Sequence, residues 1–250
     1  MSDFLQSTER VRARPRPLSR FLQAALPPSL PEIDGLRFET LYLPCEQNLI
    51  GGDWYDVLAL PDGSVAVAVG DVTGHGVEAA AVMGKIRYSM RLIAMRTNAI
   101  QAGGAASIIP LVEAGLRREH PDASATAFLG IISTDRKRMQ YAIAGHPPPI
   151  VVKRSGETAW LEGGEPPLGC GYGRMWSNHV IDVASVARLI LYTDGVIESG
   201  RDVIKGLERL ESALQNPGIA GAKELLPRVV EATLVAKPHD DIAMLAVTFV

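Results

Sequence analysis

The chain has little cysteine, little net charge and no long apolar run, and each shortage excludes something. Only two cysteines, Cys45 and Cys170, occur in 250 residues. That is too few for a disulfide framework, and no histidines stand at ligand spacing to complete a thiolate zinc site. A bound metal would have to be held by oxygen. Lys and Arg number 25 against 28 Asp and Glu, a formal charge of −3, which removes any sequence-wide attraction to nucleic acid or anionic lipid. Apolar runs such as Val65–Val69 and Ala79–Met83 are soon interrupted, well short of the ~18 residues of a membrane span. The start, Met1-Ser2-Asp3-Phe4, lacks a basic then apolar leader. A cytoplasmic protein with neither nucleic-acid nor membrane partners is expected. What is present is a globular composition, 47% hydrophobic and 21% charged, in a chain long enough to bury roughly 70–75% of its unfolded surface.

The first residues differ from the rest. Arg10, Arg12, Arg14, Arg16 and Arg20 face only Asp3 and Glu9, and Pro15 and Pro17 break any helix there. Residues 1–35 read as a basic, proline-containing linker with a short apolar helix over Leu18–Leu26, leading from a possible upstream domain. Residues 36–250 read as one domain in which strand-like runs alternate with turns. Trp54–Leu60 and Ser64–Gly70 flank Pro61-Asp62-Gly63, a hairpin signal. A long helix is expected over Gly76–Asn98 and another over Ala105–His120, with Pro110 at its start or at a kink. A second hairpin, Ser124–Ser133 with Met139–Gly145, turns at Thr134-Asp135-Arg136-Lys137. Further strands are expected at Ile150–Lys153, Thr158–Leu161, His179–Val183, Arg188–Thr193 and Ile242–Val250, with a helix near Ala222–Val235. Strands and helices gathered in separate blocks indicate an α+β fold of antiparallel sheet flanked by helices.

The carboxylates carry the chemistry. A three-residue loop at Pro61-Asp62-Gly63 faces Leu60 to Ser64, and the same register carried down the hairpin sets Asp53 opposite Asp71. Directly opposed residues have Cβ atoms ~4.5–5.5 Å apart, and two carboxylates at ~4 Å repel by roughly 4 kcal/mol at an effective dielectric near 20. A divalent cation is the natural compensation. Arg188–Thr193 delivers Asp194 into a turn, and His239-Asp240-Asp241 precedes the last strand. If those strands are antiparallel, Asp194 and Asp240 meet, and they are expected on the same sheet edge as Asp71. One Asp after a strand is ordinarily a turn or cap residue, but four at one edge are harder to assign so. Hard oxygen ligands of this kind suit magnesium or manganese, and a pair of such ions hydrolyses phosphoesters.

Gly51-Gly52-Asp53-Trp54-Tyr55-Asp56, Gly70-Asp71-Val72-Thr73-Gly74-His75-Gly76, Ala144-Gly145-His146-Pro147-Pro148-Pro149, Leu191-Tyr192-Thr193-Asp194-Gly195 and Asp240-Asp241-Ile242 together resemble the SpoIIE-like serine phosphatases. These are the bacterial, RsbU-containing branch of the metal-dependent phosphatase 2C (PPM) superfamily. The resemblance covers about residues 18–250. It implies an α-β-β-α sandwich with two Mn2+ or Mg2+ ions, in which Asp71 bridges both ions beside the backbone carbonyl of Val72. Asp53 would serve one ion, directly or through water; Asp194 and Asp240 would hold the other, with Asp241 the fallback to Asp240. His75 would lie beside the ions as a proton donor or a structural loop residue. Asp56 and His146 would be structural, and Trp54 and Tyr55 would sit in the core.

The implied activity is hydrolysis of phosphoserine or phosphothreonine by a metal-activated water, with no phosphoenzyme. The implied substrate is a phosphorylated STAS-domain anti-anti-sigma factor in sigma-factor and stress-response regulation. Relatives also suggest an upstream sensor domain and a homodimer formed through Phe21, Leu22, Ala25 and Leu26. The rival reading is a phosphatase-like regulatory module that binds a partner and turns over little. A kinase-like nucleotide-binding domain is disfavoured, because there is no P-loop and no kinase signature set.

Overall fold

A computed structural model describes residues 29–45, 51–96, 103–170 and 175–250. The proposed apolar helix Leu18–Leu26 and its dimerising residues lie outside that set. Two five-stranded sheets face each other. One runs in the order β1 (Leu36–Leu43), β10 (Ile242–Phe249), β9 (Val186–Tyr192), β6 (Ile150–Lys153) and β7 (Thr158–Trp160). The other runs β2 (Trp54–Ala59), β3 (Val65–Val72), β4 (Ala125–Ile132), β5 (Arg138–Ala144) and β8 (His179–Asp182). Every pairing between these strands is antiparallel.

The period-2 alternation of side chains sorts three apolar layers. Val65, Val67 and Val69 of β3 meet Leu189, Leu191, Leu245 and Val247 between the sheets. The intervening Ala66 and Ala68 face α1 (Val77–Arg96) and α2 (Ala105–Glu119), along with Ala125, Ala127, Ala142 and Ala144. Small residues there let the two helices lie close against the sheet. On the opposite face Ile190, Tyr192, Met244 and Ala246 pack on α3 (Val203–Gln215) and α5 (Leu225–Thr233), which are joined by the short α4 (Pro217–Ala220). Each fully buried Val or Leu in these layers stabilises by about 1.5–3 kcal/mol. The result is the expected α-β-β-α sandwich.

Of the two places expected for Pro110, the structure gives the one inside α2, not its start, which is closed by Ser107 donating from both its amide and its hydroxyl to Gly104 O. One detail departs from expectation. Helix α3 was not anticipated, although Leu207, Leu210 and Leu214 are spaced for one helical face behind the Asp202 cap, whose side chain accepts from Lys205 N at 3.2 Å. Gly206 obscures the pattern; a Cβ there would fall on the carbonyl of Ile197, so glycine is needed where the helix crosses that chain.

Candidate metal centre

The β2–β3 hairpin has the expected register. Leu60 N donates to Ser64 O at 2.9 Å, and the pairs run from Ala59 with Val65 to Trp54 with Gly70. One step further brings Asp53 against Asp71, and their carboxyls hydrogen-bond each other. Gly70 makes room for this, because a Cβ there would fall on the Trp54 ring, which lies across it and anchors the strand that delivers Asp53. Trp54 is buried on the helix side and Tyr55 on the inter-sheet side, both in the core as expected.

Asp194 opens a 3-10 turn, Asp194–Val196, at the end of β9, and Asp240 lies just before β10. Thr193 N donates to Ala243 O at 3.0 Å, so the end of one strand stands beside the start of the other. The expectation of a single sheet edge is corrected here. Asp71 belongs to the β2–β8 sheet, whereas Asp194 and Asp240 belong to the β1–β7 sheet. The acids meet at one end of the sandwich, across the gap between sheets, because both sheets present those strand ends on the same side. The charges of Asp194 and Asp240 accordingly act on Asp71.

Two hydrogen-bonded links hold the gap. The buried Thr193 hydroxyl donates to Asp53 Oδ2 at 2.7 Å and accepts from Ala243 N at 2.9 Å. His146 bridges Thr126 Oγ1, at 2.8 Å from Nδ1, and Tyr192 O, at 3.0 Å from Nε2. Since a carbonyl only accepts, Nε2 carries the proton and Nδ1 accepts from the threonine hydroxyl. Thr126 is the register partner of Asp71, and Tyr192 lies two residues before Asp194. His146 is thus the structural hydrogen-bonder that was expected, and burial lowers its pKa to about 3.

Charge is concentrated at the site. Burial, then the neighbouring Asp71, raises the Asp53 carboxyl far above its ordinary range. Burial raises Asp71 to about 7, with the charges of Asp194, Asp240 and Asp241 adding to it and the Asp53 hydrogen bond opposing. Burial, then Glu198 and Asp240, raises Asp194 to about 6. Acids gathered this closely in a partly desolvated site are the arrangement that a divalent cation would compensate. Among the described residues no three His, Cys, Asp or Glu side chains stand as a closed ion cage; the site is the Asp53–Asp71 pair with Asp194 and Asp240 within reach of its charge. The donor chemistry nevertheless fits Mn2+ or Mg2+, which take oxygen ligands and keep several waters. Gly52 fits as well. A Cβ there would sit 3.1 Å from Asp71 Oδ1 and 3.0 Å from Val72 N and would fall on Val72 O, so glycine leaves that carbonyl and carboxylate open.

The remaining predicted residues separate. Asp241 is buried and engaged elsewhere, accepting from Cys45 N and, at 3.2 Å, from the Tyr42 hydroxyl. His75 is exposed, its backbone bridged to Gly51. Asp56 is buried away from the pair, binding Arg91 Nη1 at 2.9 Å and Arg87 Nε at 3.5 Å, and so ties β2 to α1. Sequence reasoning assigned no role to Thr193 or Tyr42. Thr193 lay in a quoted motif, so its hydroxyl was available as a signal; Tyr42, far away in sequence, left none.

The profile of the family described as Stage II sporulation protein E (SpoIIE) matches residues 61–250. The protein IcfG of Synechocystis sp. is 26% identical over 255 residues, covering 90% of this chain and 40% of that protein. The phosphoserine phosphatase RsbU of Bacillus subtilis is 25% identical over 231 residues, covering 89% of this chain and 66% of that protein. The chain therefore spans less than two thirds of either relative. Among solved structures, the RsbU and RsbW domains of a Mycobacterium tuberculosis protein superpose with a TM-score of 0.74 at 30% identity, covering 88% of this chain and 63% of that one.

Proposed function

The chain belongs to the SpoIIE family of metal-dependent, phosphatase 2C-like phosphatases, and from that premise we propose that it is a serine/threonine phosphoprotein phosphatase. The observation that carries the reading is the Asp53–Asp71 carboxyl pair, Asp53 buried and Asp71 half-buried, with the charges of Asp194 and Asp240, from the opposite sheet, acting on Asp71. Asp71, with the Val72 carbonyl beside it, would hold both of two divalent ions, Mn2+ or Mg2+; Asp53 would serve one and Asp194 and Asp240 the other. Such ions, when bound, supply a nucleophilic water at neutral pH and neutralise phosphoryl oxygens. The chain's own part is orientation. Thr193 fixes one oxygen of Asp53, Gly52 keeps the Asp71–Val72 edge open, and His146 ties the two sheets beside the acids. Of the two terminal aspartates, Asp240 is favoured, because Asp241 already serves two donors.

The substrate we favour is phosphoserine or phosphothreonine on a STAS-domain anti-anti-sigma factor, within sigma-factor and stress-response regulation. An upstream sensor and a dimer through Phe21, Leu22, Ala25 and Leu26 belong to the same proposal. The name of the RsbU relative, a phosphoserine phosphatase, supports the phosphoserine part. The test is a Mn2+-dependent dephosphorylation assay on a panel of phosphorylated STAS proteins. Turnover should vanish in EDTA and in Asp71→Asn while the variant keeps its fold by circular dichroism. Undiminished turnover in either would overturn the reading. Metal binding without turnover on any of the panel would favour the partner-binding module instead.

A further inference from the structure

We propose that Asp241 is a positioning residue of the metal centre: its carboxylate clamps the end of β1 and the Gly51-Gly52 turn, while its backbone sets Asp240, and it binds no ion itself. The inference rests on the metal-centre reading and deepens it. Both carboxylate oxygens are in use. Oδ1 accepts from Cys45 N, and Oδ2 accepts from the Tyr42 hydroxyl at 3.2 Å, over separations of 196 and 199 residues respectively. The side chain is buried, with 2% of the residue exposed. Turning this carboxylate toward an ion would pull it from the buried Cys45 amide and the Tyr42 hydroxyl, and an amide left without its acceptor costs stability.

The backbone around this carboxylate is shaped to it. A Cβ on Gly51 would fall on Asp241 Oδ2 and come 2.5 Å from its Cγ and 3.1 Å from the Tyr42 hydroxyl. Gly51 therefore lies flat on the carboxylate, two residues before Asp53. A Cβ on Gly195 would fall on the Asp241 carbonyl, so the residue after Asp194 is pressed on the same hub. Asp241 N, finally, donates to Asp240 Oδ1 at 2.8 Å and orients that carboxylate. One residue thus touches the segments that carry Asp53, Asp194 and Asp240. The Asp53 and Asp194 motifs each have a glycine, Gly51 and Gly195, where Asp241 comes through.

The test uses the full chain and Mn2+ alone, titrated at constant pH, with free Mn2+ followed by electron paramagnetic resonance. A positioning role predicts that Asp241→Ala weakens Mn2+ binding by about 10–100-fold, as for residues that orient ligands. Asp241→Asn should stay within about threefold of wild type, since its amide oxygen can accept from Cys45 N and its NH2 can donate to the tyrosine oxygen. Asp240→Asn, which alters a ligand, should lose more than Asp241→Asn. Gly51→Ala, which removes no carboxylate from the chain but pushes that of Asp241 out of its seat, should weaken binding on its own but add little in the Asp241→Ala background. If Asp241→Ala does not fold, Gly51→Ala carries the test alone: weakened binding supports the clamp, and unchanged binding overturns it. Equal losses for Asp241→Asn and Asp240→Asn would make Asp241 a ligand and overturn the proposal, leaving the metal centre standing. Absence of Mn2+ binding by wild type would overturn both.

Discussion

Replacing Thr193 with valine changes almost no volume and removes one hydroxyl, and that hydroxyl spans the two sheets. In the native chain it donates to Asp53 Oδ2 at 2.7 Å while accepting from Ala243 N at 2.9 Å, with no part of the residue exposed. Valine leaves a buried carboxyl oxygen and a buried amide without that partner. Each such loss costs about 1–3 kcal/mol, so Thr193→Val should destabilise by about 2–6 kcal/mol. Thr193→Ser keeps the hydroxyl and deletes one methyl, worth about 1 kcal/mol. The polar substitution should therefore be the milder one, the reverse of a simple burial scale. For a chain of this size, 1 kcal/mol moves Tm by about 2–4 °C, so Thr193→Val should melt at least about 4 °C below wild type in EDTA. The added stability on saturating Mn2+ should also shrink in the valine variant, because Asp53 is no longer held. Thermal and urea melts of the three proteins decide the matter. A valine variant as stable as wild type, or more stable than the serine variant, refutes the reasoning.

His146 should make stability fall with acid. Its folded pKa of about 3 lies below the ordinary 6.5, so its contribution is complete above pH 6.5 and is lost at about 1.4 kcal/mol per pH unit as pH falls from there toward 3. The raised carboxyls of Asp71 and Asp194 act in the opposite direction in metal-free protein, so the measurement is the difference in urea stability between wild type and His146→Gln from pH 7 to 4; parallel curves would count against it. Asp56→Ala should destabilise by about 3 kcal/mol, because it leaves a buried acid's place empty beside two guanidiniums. Denaturant unfolding checks this, and a loss under about 1 kcal/mol would mean that the β2–α1 tie contributes no more than a surface pair.

What could be read from sequence depended on how far apart the partners lie. The Asp53–Asp71 pair was legible because a three-residue loop sets register locally, and the ladder from Ala59 with Val65 to Trp54 with Gly70 obeys it. The meeting of Asp194 with Asp240 was legible for a related reason, since β9 and β10 were expected to be antiparallel. Which sheet each pair joins was not legible. Strand ends carry no mark of their sheet, so acids from two facing sheets were read as one edge. The division of labour between Asp240 and Asp241 is less local still. Their side chains are of one chemical type and adjacent, and only Tyr42 and Cys45, nearly two hundred residues earlier, occupy one of them. The glycines were the overlooked intermediate. Gly51, Gly52, Gly70 and Gly195 were visible as motif residues, and each stands where a Cβ would strike a carboxylate, a carbonyl or the Trp54 ring at the site. A glycine beside a candidate ligand is therefore informative in its own right: it marks where another part of the chain must come close, and at Gly51 and Gly195 that part is Asp241.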